Sequence, residues 1–383
     1  MKQIPYGHQD ISERDIQAVT AVLRSDWLTQ GPAVERFEQA VAAYCGVKYA
    51  VAVNSATSAL HIAAMAADLD PGDILWTSPN TFVASANCGR YCDADVDFVD
   101  IDIRTYNMSA DELEQKLEKV SRNGGKLPKV VIPVHFTGQS CEMDRIWALA
   151  KKYGFTVIED ASHAIGGKYQ EAKIGSCRFS DMAVFSFHPV KIITTAEGGL
   201  VLTNRDDLYQ KLILGRSHGI TRNPGLMTEE SHGPWYYQML ELGFNYRMPD
   251  MQAALGASQM ERIDEFVRRR HAIAERYDQE LKGLPIQLPW QHPDNYSAYH
   301  LYVICLEQSK GGKSHRQVFE ELRAKGIGVN LHYIPVHTQP YYQQLGFKWG
   351  DFPKAESYYQ SAMSIPMYAA LTDEEQSFVI DTI

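Results

Sequence analysis

The stretch Phe185–Gly199 reads FSFHPVKIITTAEGG, and its character changes partway along. Its first residues complete an apolar run, MAVFSF, which predicts a buried β-strand. His188 and Pro189 interrupt that run, and Lys191 follows at once. A lysine at the end of a buried strand can be partly desolvated, which lowers its pKa as an imine-forming lysine requires. A lysine that merely extends from a strand end to water is the commoner alternative, so the assignment depends on the residues around it.

Apolar runs of strand length recur before and after this stretch, with helical stretches between them. They are YAVAV, ILWTS, VDFVDI, KVVIPV, FTVIED, MAVFSF and GLVLTN. This alternation predicts an α/β fold in which a largely parallel sheet is covered by helices on both faces. One connecting helix, in SADELEQKLEKV, begins with Ser109 as N-cap and carries Glu112 three positions later, which is the pattern of a capping box.

The pattern changes after residue 250. A long helical stretch is expected from Met251 to about Lys282, and it can lead from one domain to the next. Beyond a loop with several prolines, the sequence predicts a strand HLYVICL, a helix SHRQVFEELRAKG, a strand GVNLHYIPV and two further helical pieces. A chain of 383 residues favours two domains. We predict a large domain over residues 1–250 and, over residues 251–383, a linking helix and a small α+β domain.

Composition and charge exclude some classes of protein. The net charge of -10 gives no general attraction to nucleic acid or to an anionic membrane, so neither is expected as a partner. The N-terminus has no apolar signal region and no long stretch is free of polar residues, so a cytoplasmic protein is predicted. Cys88 and Cys92 are close together, but no second pair completes a metal site.

Asp160 ends another predicted strand, FTVIED. In a parallel sheet its carboxylate lies on the same edge as Lys191, the edge at which open α/β sheets bind ligands. A carboxylate there can keep a pyridinium nitrogen protonated, the condition under which pyridoxal phosphate withdraws electrons. His163, three residues later, can lie beside such a ring. A solvated strand-end carboxylate and an ordinary loop or core histidine are the alternatives.

The small residues Ser55, Ala56 and Thr57 separate the strand YAVAV from a helix. The free N–H groups and the positive dipole end of that helix predict a phosphate site, to which Thr57 adds a hydroxyl. Ser186, five residues before Lys191, can supply another hydroxyl. Simple N-capping of the helix is the common alternative.

Phe82 follows the strand ILWTS and can stack on a flat ring, although a lone aromatic residue is more often part of the core. Each of these residues has an ordinary structural explanation by itself. In chain order, however, the strand ends carry a phosphate site, an aromatic residue, an aspartate and a lysine. This combination predicts one cofactor site.

Eight blocks of the sequence then indicate a family. They are LTQGPAVERFE, NSATSALHIA, FVASAN, EDASHAIGG, FSFHPVKIITTAEGG, RSHGI, LGFNYRMPDMQAALG and HYIPVH. Over essentially its whole length the chain resembles the sugar aminotransferases of the DegT/DnrJ/EryC1/StrS family, which are pyridoxal-phosphate enzymes of fold type I, the aspartate aminotransferase-like fold. It is most similar to the branch that makes UDP-4-amino-4,6-dideoxy-N-acetyl-β-L-altrosamine for pseudaminic acid. The resemblance implies a large domain with a mostly parallel mixed sheet and a smaller α+β C-terminal domain.

The resemblance also implies roles for single residues. Lys191 would form an imine with pyridoxal phosphate, Asp160 would pair with the pyridine nitrogen, and Phe82 would stack on the ring. His163 would lie near the phenolic oxygen of the ring. The phosphate would be held by Ala56, Thr57 and Ser186, with Ser55 in the same cofactor site.

Further implied residues belong to the substrate pocket and to a second subunit. Asn245, in GFNYR, would contact the cofactor phosphate of the neighbouring subunit, so the implied protein is a homodimer with shared active sites. The segments matching the nucleotide-sugar pocket are Tyr6, the loop Asp26, Trp27, Leu28 and Thr29, and the stretch His332, Tyr333, Ile334 and Pro335. Ala196 stands where many members of the family have glycine.

The expected activity is transfer of an amino group from L-glutamate to the C4 ketone of a UDP-linked 4-keto-6-deoxy-N-acetylhexosamine, with pyridoxamine phosphate as the intermediate form of the cofactor. Another nucleotide-sugar aminotransferase of the same family is the close alternative, because the shape of the pocket and not the fold selects the sugar. A non-catalytic pyridoxal-phosphate-binding regulatory protein is a third possibility. The dehydratase branch replaces the imine lysine by histidine and is disfavoured by Lys191, and an NAD-linked enzyme is disfavoured by the absence of a G-x-G-x-x-G motif.

Overall fold

A computed structural model describes residues 3–307 and 312–383. The helices are α1 Glu13–Leu23, α2 Pro32–Cys45, α3 Ala56–Ala66, α4 Ala84–Tyr91, α5 Ala110–Arg122, α6 Met143–Tyr153, α7 Asp206–Arg216, α8 Asp250–Met260, α9 Ile263–Glu280, α10 His315–Ala324, α11 Pro340–Gln344, α12 Pro353–Ser361 and α13 Asp373–Thr382. The strands are β1 Tyr49–Val53, β2 Ile74–Thr77, β3 Asp95–Phe98, β4 Val130–Ile132, β5 Thr156–Asp160, β6 Lys168–Tyr169, β7 Ala172–Lys173, β8 Met182–Ser186, β9 Gly199–Thr203, β10 Ile220–Thr221, β11 Gln238–Met239, β12 Ile286–Gln287, β13 Asn295–Tyr296, β14 Tyr302–Leu306 and β15 Ala362–Ile365.

The seven apolar runs of the first half form one seven-stranded sheet in the order β1-β9-β8-β5-β4-β2-β3. The pairs from β8 to β3 are all parallel, whereas β9 is antiparallel to both of its neighbours. The predicted α/β fold with a mostly parallel, mixed sheet is therefore confirmed. Because β9 alone is reversed, β1 runs parallel to β8, and the carboxyl ends of β1, β5 and β8 meet at one edge of the sheet.

Both faces of this sheet are covered, as the uninterrupted apolar runs require. Along β1, Ala50 and Ala52 pack into a core with α2 and α8, whereas Val51 and Val53 pack into a core with α3 and α7. The same alternation occurs in β8, where Phe185 faces the first core and Val184 the second. Because helices cover both faces of the sheet, polar side chains that bind a ligand are expected at the carboxyl ends of its strands.

A smaller antiparallel sheet, β12-β14-β15, forms after residue 285, with α9, α10 and α13 packed around its core. The strand HLYVICL is confirmed as β14, and the helix SHRQVFEELRAKG as α10. The predicted strand GVNLHYIPV is wrong. Asn330 within it and Ile327 just before it make only isolated bridges in the described chain, to Ser364 and Ile4. β14 pairs instead with β12 and β15, neither of which the sequence predicts as a strand.

The helix expected from Met251 to about Lys282 is interrupted. It is divided into α8 and α9 at Glu261 and Arg262. The Arg262 guanidinium bonds to Asp10 at 3.0 Å and to Asp15 at 2.8 Å, so a contact with the N-terminal segment fixes the turn. The division at residue 250 between two domains stays a prediction.

The predicted N-cap Ser109 is confirmed as the start of α5. Ser109 Oγ accepts a hydrogen bond from Glu112 N–H at 3.3 Å. The capping box itself is incomplete, because the Ser109 N–H donates to the Asp100 carbonyl at 3.0 Å and not to the Glu112 side chain. Within the described residues, no helix combines the length and the apolar character that a membrane span needs.

Candidate active site

A cavity of about 500 Å³ opens at the sheet edge where β1, β5 and β8 end. This volume is typical of a cofactor or small-molecule site. The residues that line it are Tyr6, Ser55, Ala56, Thr57, Leu60, Thr81, Phe82, Ala84, Val134, Asp160, Ser162, His163, Ser186, His188, Val190, Lys191, Glu197, His300, Asn330, Leu331, His332 and Tyr333. Most of the residues singled out in the sequence are therefore neighbours in space.

Lys191 reaches the cavity from a turn that follows β8. Its N–H donates to the carbonyl of His188 at 2.9 Å, and the ends of the loop are joined by the Phe187 N–H and the Gly198 carbonyl at 2.9 Å. Burial of the amine lowers the pKa of Lys191 to about 8, although the negative charge of Asp160 acts in the opposite direction. The amine therefore loses its proton at a much lower pH than an ordinary lysine, and the neutral form becomes abundant as the pH approaches 8.

Asp160 is buried at the end of β5, with 5% of its surface exposed. One carboxylate oxygen accepts a hydrogen bond from the Ser85 hydroxyl at 2.6 Å, and the other accepts one from the Ser162 N–H at 3.1 Å. These bonds fix the orientation of a carboxylate that has no arginine or lysine ion pair within the described residues. Such a carboxylate is suited to a cationic ring nitrogen of a ligand.

The helix α3 begins at the cavity, with Ser55 as its N-cap. Gly199 of β9 lies directly behind this start and pairs with both Val53 and Ser186. A Cβ added at Gly199 would lie 2.4 Å from the Ser55 carbonyl oxygen and 2.5 Å from the Ala56 nitrogen. Only glycine lets the two strands and the helix start meet, and the result is a cluster of N–H groups and hydroxyls suited to a phosphate.

His163 is buried beside the cavity in a group of rings. Its Nε2 lies 3.3 Å from the Tyr333 hydroxyl, and its ring centroid lies 4.4 Å from that of His300. Burial, followed by the charge of Lys191, lowers the pKa of His163 well below its ordinary value. Its Nδ1 has no hydrogen-bond partner among the described residues. A neutral ring with an unsatisfied nitrogen can bond to an oxygen of a ligand.

The remaining wall is aromatic. Phe82 is 56% exposed although it lies in a cavity, and its ring centroid is 6.0 Å from that of Tyr333. Tyr6 packs on His332 with a centroid distance of 5.1 Å. Burial lowers the pKa of His332 to about 3, which keeps its ring neutral.

Other predicted site residues lie outside the cavity of their own chain. The loop of Asp26, Trp27, Leu28 and Thr29 is exposed, and its Leu28 carbonyl accepts from the N–H of Asp250 at 3.0 Å. Ile334 is 48% exposed, and Pro335 precedes a short turn. Asn245 is exposed and forms an isolated bridge with Ser217.

The structure also adds residues that the sequence analysis missed. Ser85 orients Asp160, and its only sequence signal is its place three residues after Phe82. His300 enters the cavity from the segment before β14, about 140 residues after Asp160 in the chain, and no local pattern marks it. His188 and Glu197 flank Lys191 in the chain and line the same cavity.

Pyridoxal phosphate fits these residues. The close contact at Gly199 leaves a helix start open to a phosphate, Asp160 is a buried carboxylate, and Phe82 offers an exposed ring face. The partly buried amine of Lys191 lies on the same cavity wall. Together, and not one by one, these features suit a flat cationic ring that carries a phosphate.

The chain is similar to known proteins over nearly its whole length. Residues 9–383 match the DegT/DnrJ/EryC1/StrS aminotransferase family. The chain is 39% identical, over 99% of its length and 96% of the relative, to the spore coat polysaccharide biosynthesis protein SpsC of Bacillus subtilis. It is 38% identical, over the same shares of the two chains, to a Campylobacter jejuni protein named UDP-4-amino-4,6-dideoxy-N-acetyl-beta-L-altrosamine transaminase.

Solved structures show the same similarity. PseC of Helicobacter pylori, described as an aminotransferase involved in the biosynthesis of pseudoaminic acid, superposes with a TM-score of 0.89 at 31% identity, covering 100% of this chain and 98% of its own. The PLP form of Spr1654 of Streptococcus pneumoniae, a putative sugar aminotransferase, superposes with a TM-score of 0.87 at 30% identity, covering 99% and 97%. The chain therefore belongs to the DegT/DnrJ/EryC1/StrS family of pyridoxal-phosphate-dependent sugar aminotransferases.

Proposed function

We propose that this aminotransferase moves the amino group of L-glutamate to the C4 ketone of a UDP-linked 4-keto-6-deoxy-N-acetylhexosamine. The products are 2-oxoglutarate and a UDP-linked 4-amino sugar, so an amino group and a ketone oxygen are exchanged between the two substrates. The observation that carries the proposal is a cavity that combines Lys191, Asp160 and an open helix start, in a chain similar over its full length to the Campylobacter jejuni transaminase.

When bound, pyridoxal phosphate supplies an electron sink and carries the amino group from donor to acceptor. Asp160, held by Ser85, would keep the ring nitrogen protonated, and the start of α3 with Ser186 would hold the phosphate. Lys191 would bind the aldehyde carbon covalently through Nζ. Once displaced by the donor, its amine would move a proton between two carbons within its reach, for which a pKa of about 8 is well suited.

Two relatives of nearly equal similarity bear on the identity of the sugar. The chain is as similar to SpsC as to the Campylobacter jejuni transaminase, with identities of 39% and 38%. A different nucleotide sugar is therefore the second candidate. Tyr6, His332 and Tyr333 on the cavity wall support an assignment of this side to the sugar, since hydroxyls and neutral imidazoles are suitable partners for sugar hydroxyls and a ketone.

The test is to identify the aminated product from a panel of UDP- and dTDP-linked 4-keto sugars with L-glutamate as donor. The proposal predicts amination of the UDP-linked 4-keto-6-deoxy-N-acetylhexosamine at C4. Preference for a dTDP sugar, or for an acceptor without the N-acetyl group, would favour the second candidate.

The active unit in this proposal is a homodimer. Asn245 is exposed and absent from the cavity wall of its own chain, and the proposed role for it is a contact with the cofactor phosphate of the neighbouring subunit. The exposed loop from Asp26 to Thr29 is proposed to reach a substrate in the same shared arrangement.

A further inference from the structure

The cavity around Lys191 offers little positive charge to an amino-acid donor. Among the described residues that line it, none is an arginine and Lys191 is the sole lysine. Burial lowers the pKa values of His163, His300 and His332, and desolvation also lowers that of the exposed His188. These rings are therefore neutral near pH 7.

The donor brings negative charge to a site that is already negative. L-Glutamate has two carboxylates, and every amino-acid donor has at least one. Asp160 and Glu197 already line the cavity, and the cofactor phosphate would add to their charge. A carboxylate is bound best by the planar guanidinium of an arginine, which can donate two parallel hydrogen bonds. The donor site thus needs a cation that the cavity of one chain does not contain.

Arg247 lies on an extended segment, residues 244–249, next to the cavity edge. Within it, Met248 is buried in the core, and the Tyr246 hydroxyl lies 3.1 Å from His61 Nδ1. Successive side chains of an extended segment point to opposite faces. Asn245 and Arg247 therefore share the face that turns away from the core.

Backbone contacts hold this segment beside the phosphate site. The N–H of Asn54 donates to the Tyr246 carbonyl at 2.8 Å, and Val53 at the end of β1 bridges to Arg247. The Arg247 side chain is half-buried, yet it has no ion pair or hydrogen bond within residues 3–307 and 312–383. A firmly held arginine without a partner is suited to an anionic ligand.

We propose that Arg247 binds a carboxylate of the amino donor in the cavity of the partner subunit, beside the phosphate contact proposed for Asn245. This inference rests on the proposed function, from which it takes the amino-acid donor and the two-fold arrangement. The sugar acceptor has no carboxylate at its reacting end. Arg247 consequently serves the half-reaction with the donor and is dispensable for the half-reaction with the sugar.

Calorimetric titration with glutarate tests this binding directly. Glutarate has the two carboxylates of L-glutamate and no amino group, so it reports binding without turnover. We expect the Arg247→Gln holoenzyme to bind glutarate about 10- to 100-fold more weakly than the parent, the range expected for loss of a charged hydrogen bond. Arg247→Lys should fall between the two, because it keeps the charge and loses the bidentate geometry.

The matched control is Arg122→Gln. Arg122 is exposed on α5 and pairs with Glu118 at 3.3 Å, away from the cavity. This variant should bind glutarate as the parent does. Equal affinity of the parent and Arg247→Gln for glutarate would overturn the proposal, and so would a parent enzyme that does not bind glutarate.

Separate half-reactions distinguish donor binding from a structural role. In Arg247→Gln the KM for L-glutamate should rise by the same factor as the glutarate Kd, while the rate with the sugar changes less than about threefold. An equal loss in both half-reactions would contradict the inference. If the parent aminates none of the UDP and dTDP sugars, the proposed substrate fails, and the glutarate titration still decides on Arg247.

Mixed dimers show which chain Arg247 serves. Subunit exchange between Lys191→Ala and Arg247→Gln proteins creates one site with both lesions and one with neither, if Arg247 acts across the interface. Activity at limiting L-glutamate should then recover toward half of the parental value in each heterodimer. No recovery, with exchange verified by mass spectrometry, would assign Arg247 to its own chain and overturn the partner assignment.

Discussion

Single side chains at the sheet edge have chemistry set by their surroundings. Asp160 is buried, and both of its carboxylate oxygens accept hydrogen bonds, from Ser85 and Ser162, while it has no cationic ion-pair partner in the described chain. Lys191 has its pKa lowered by burial. Burial in the same cavity thus leaves Asp160 suited to a cationic ring nitrogen, and it makes Lys191 easier to deprotonate to a reactive neutral amine.

We expect Asp160→Asn to bind pyridoxal phosphate but to slow the half-reaction with L-glutamate by several orders of magnitude. The amide keeps most of the shape and loses the charge that holds the ring nitrogen protonated. Stopped-flow absorbance of the cofactor measures this step. Ser85→Ala removes one hydrogen bond to Asp160 and should give a much smaller loss. An Asp160→Asn protein that reacts at nearly the parental rate would show that Asp160 is not the pyridine partner.

The lowered pKa of Lys191 also predicts how the cofactor-free protein responds to pH. The folded protein releases the proton near pH 8, whereas the unfolded chain retains it up to the ordinary value of 10.5. Since the unfolded state binds more protons in this range, the free energy of unfolding rises with pH between about 8 and 10.5.

Lys191→Met should consequently be more stable than the parent below pH 8, by an amount on the order of 3 kcal/mol. The difference should shrink as the pH rises to about 10.5, because the parent no longer buries an ammonium group. Denaturant unfolding of both cofactor-free proteins across this range gives the measurement. A difference that does not change with pH would show that the amine is not desolvated in the fold.

At the scale of elements, the proposed phosphate site lies where β9 contacts the start of α3. Gly199→Ala should push the two apart, because its Cβ would lie 2.4 Å from the Ser55 carbonyl oxygen. Overpacking of this kind costs about 1–3 kcal/mol, so we expect affinity for pyridoxal phosphate to fall about 10- to 100-fold. Fluorescence titration with the cofactor measures the loss.

Gly215→Ala is the control for this change. Gly215 is on α7, where an added Cβ would meet Ile62 at an ordinary distance of 3.4 Å. This variant should bind the cofactor as the parent does. If Gly199→Ala also binds normally, the contact behind the helix start has no part in holding the phosphate.

Elements built from one local pattern were predictable, and those that depend on distant contacts were not. All seven strands of the main sheet follow from apolar runs that are buried on both faces. In contrast, the run from Gly328 to Val336 resembles a strand but supplies the cavity wall, where His332 and Tyr333 face the site. The turn at Arg262 depends on Asp10 and Asp15, about 250 residues away in the chain, and no local signal marks it.

The same distinction applies to the site. Lys191, Asp160 and Ser55 are predictable because each follows a recognisable strand, and parallel strands end at a common edge. His300 reaches the cavity because its neighbours in the chain bond to a distant turn. The Ala298 N–H donates to the Gly138 carbonyl at 3.0 Å, and the Leu301 N–H donates to the Thr137 carbonyl at 3.1 Å. Ala196 has a φ of 67°, a left-handed conformation that glycine adopts more readily, which is consistent with the glycine that the resemblance implies at this position in many members.

At the scale of the whole molecule, the proposed dimer predicts that two impaired variants regain activity when they share one dimer. Lys191→Ala and Asn245→Asp should each be impaired, the second because a carboxylate would face the phosphate dianion. Mixing the two under exchange conditions should restore activity toward half of the parental value in each heterodimer, since one site then carries neither lesion. Absence of recovery after confirmed exchange would mean that Asn245 serves its own chain.

Covalent attachment of the cofactor to Lys191 is the claim on which all of this depends, and borohydride reduction tests it most directly. The purified holoenzyme should absorb in the near-ultraviolet to visible range and lose that band on reduction. Peptide mapping should then find the reduced cofactor on the Nζ of Lys191. A protein that stays colourless with excess pyridoxal phosphate, or a reduced adduct on another lysine, would contradict the account.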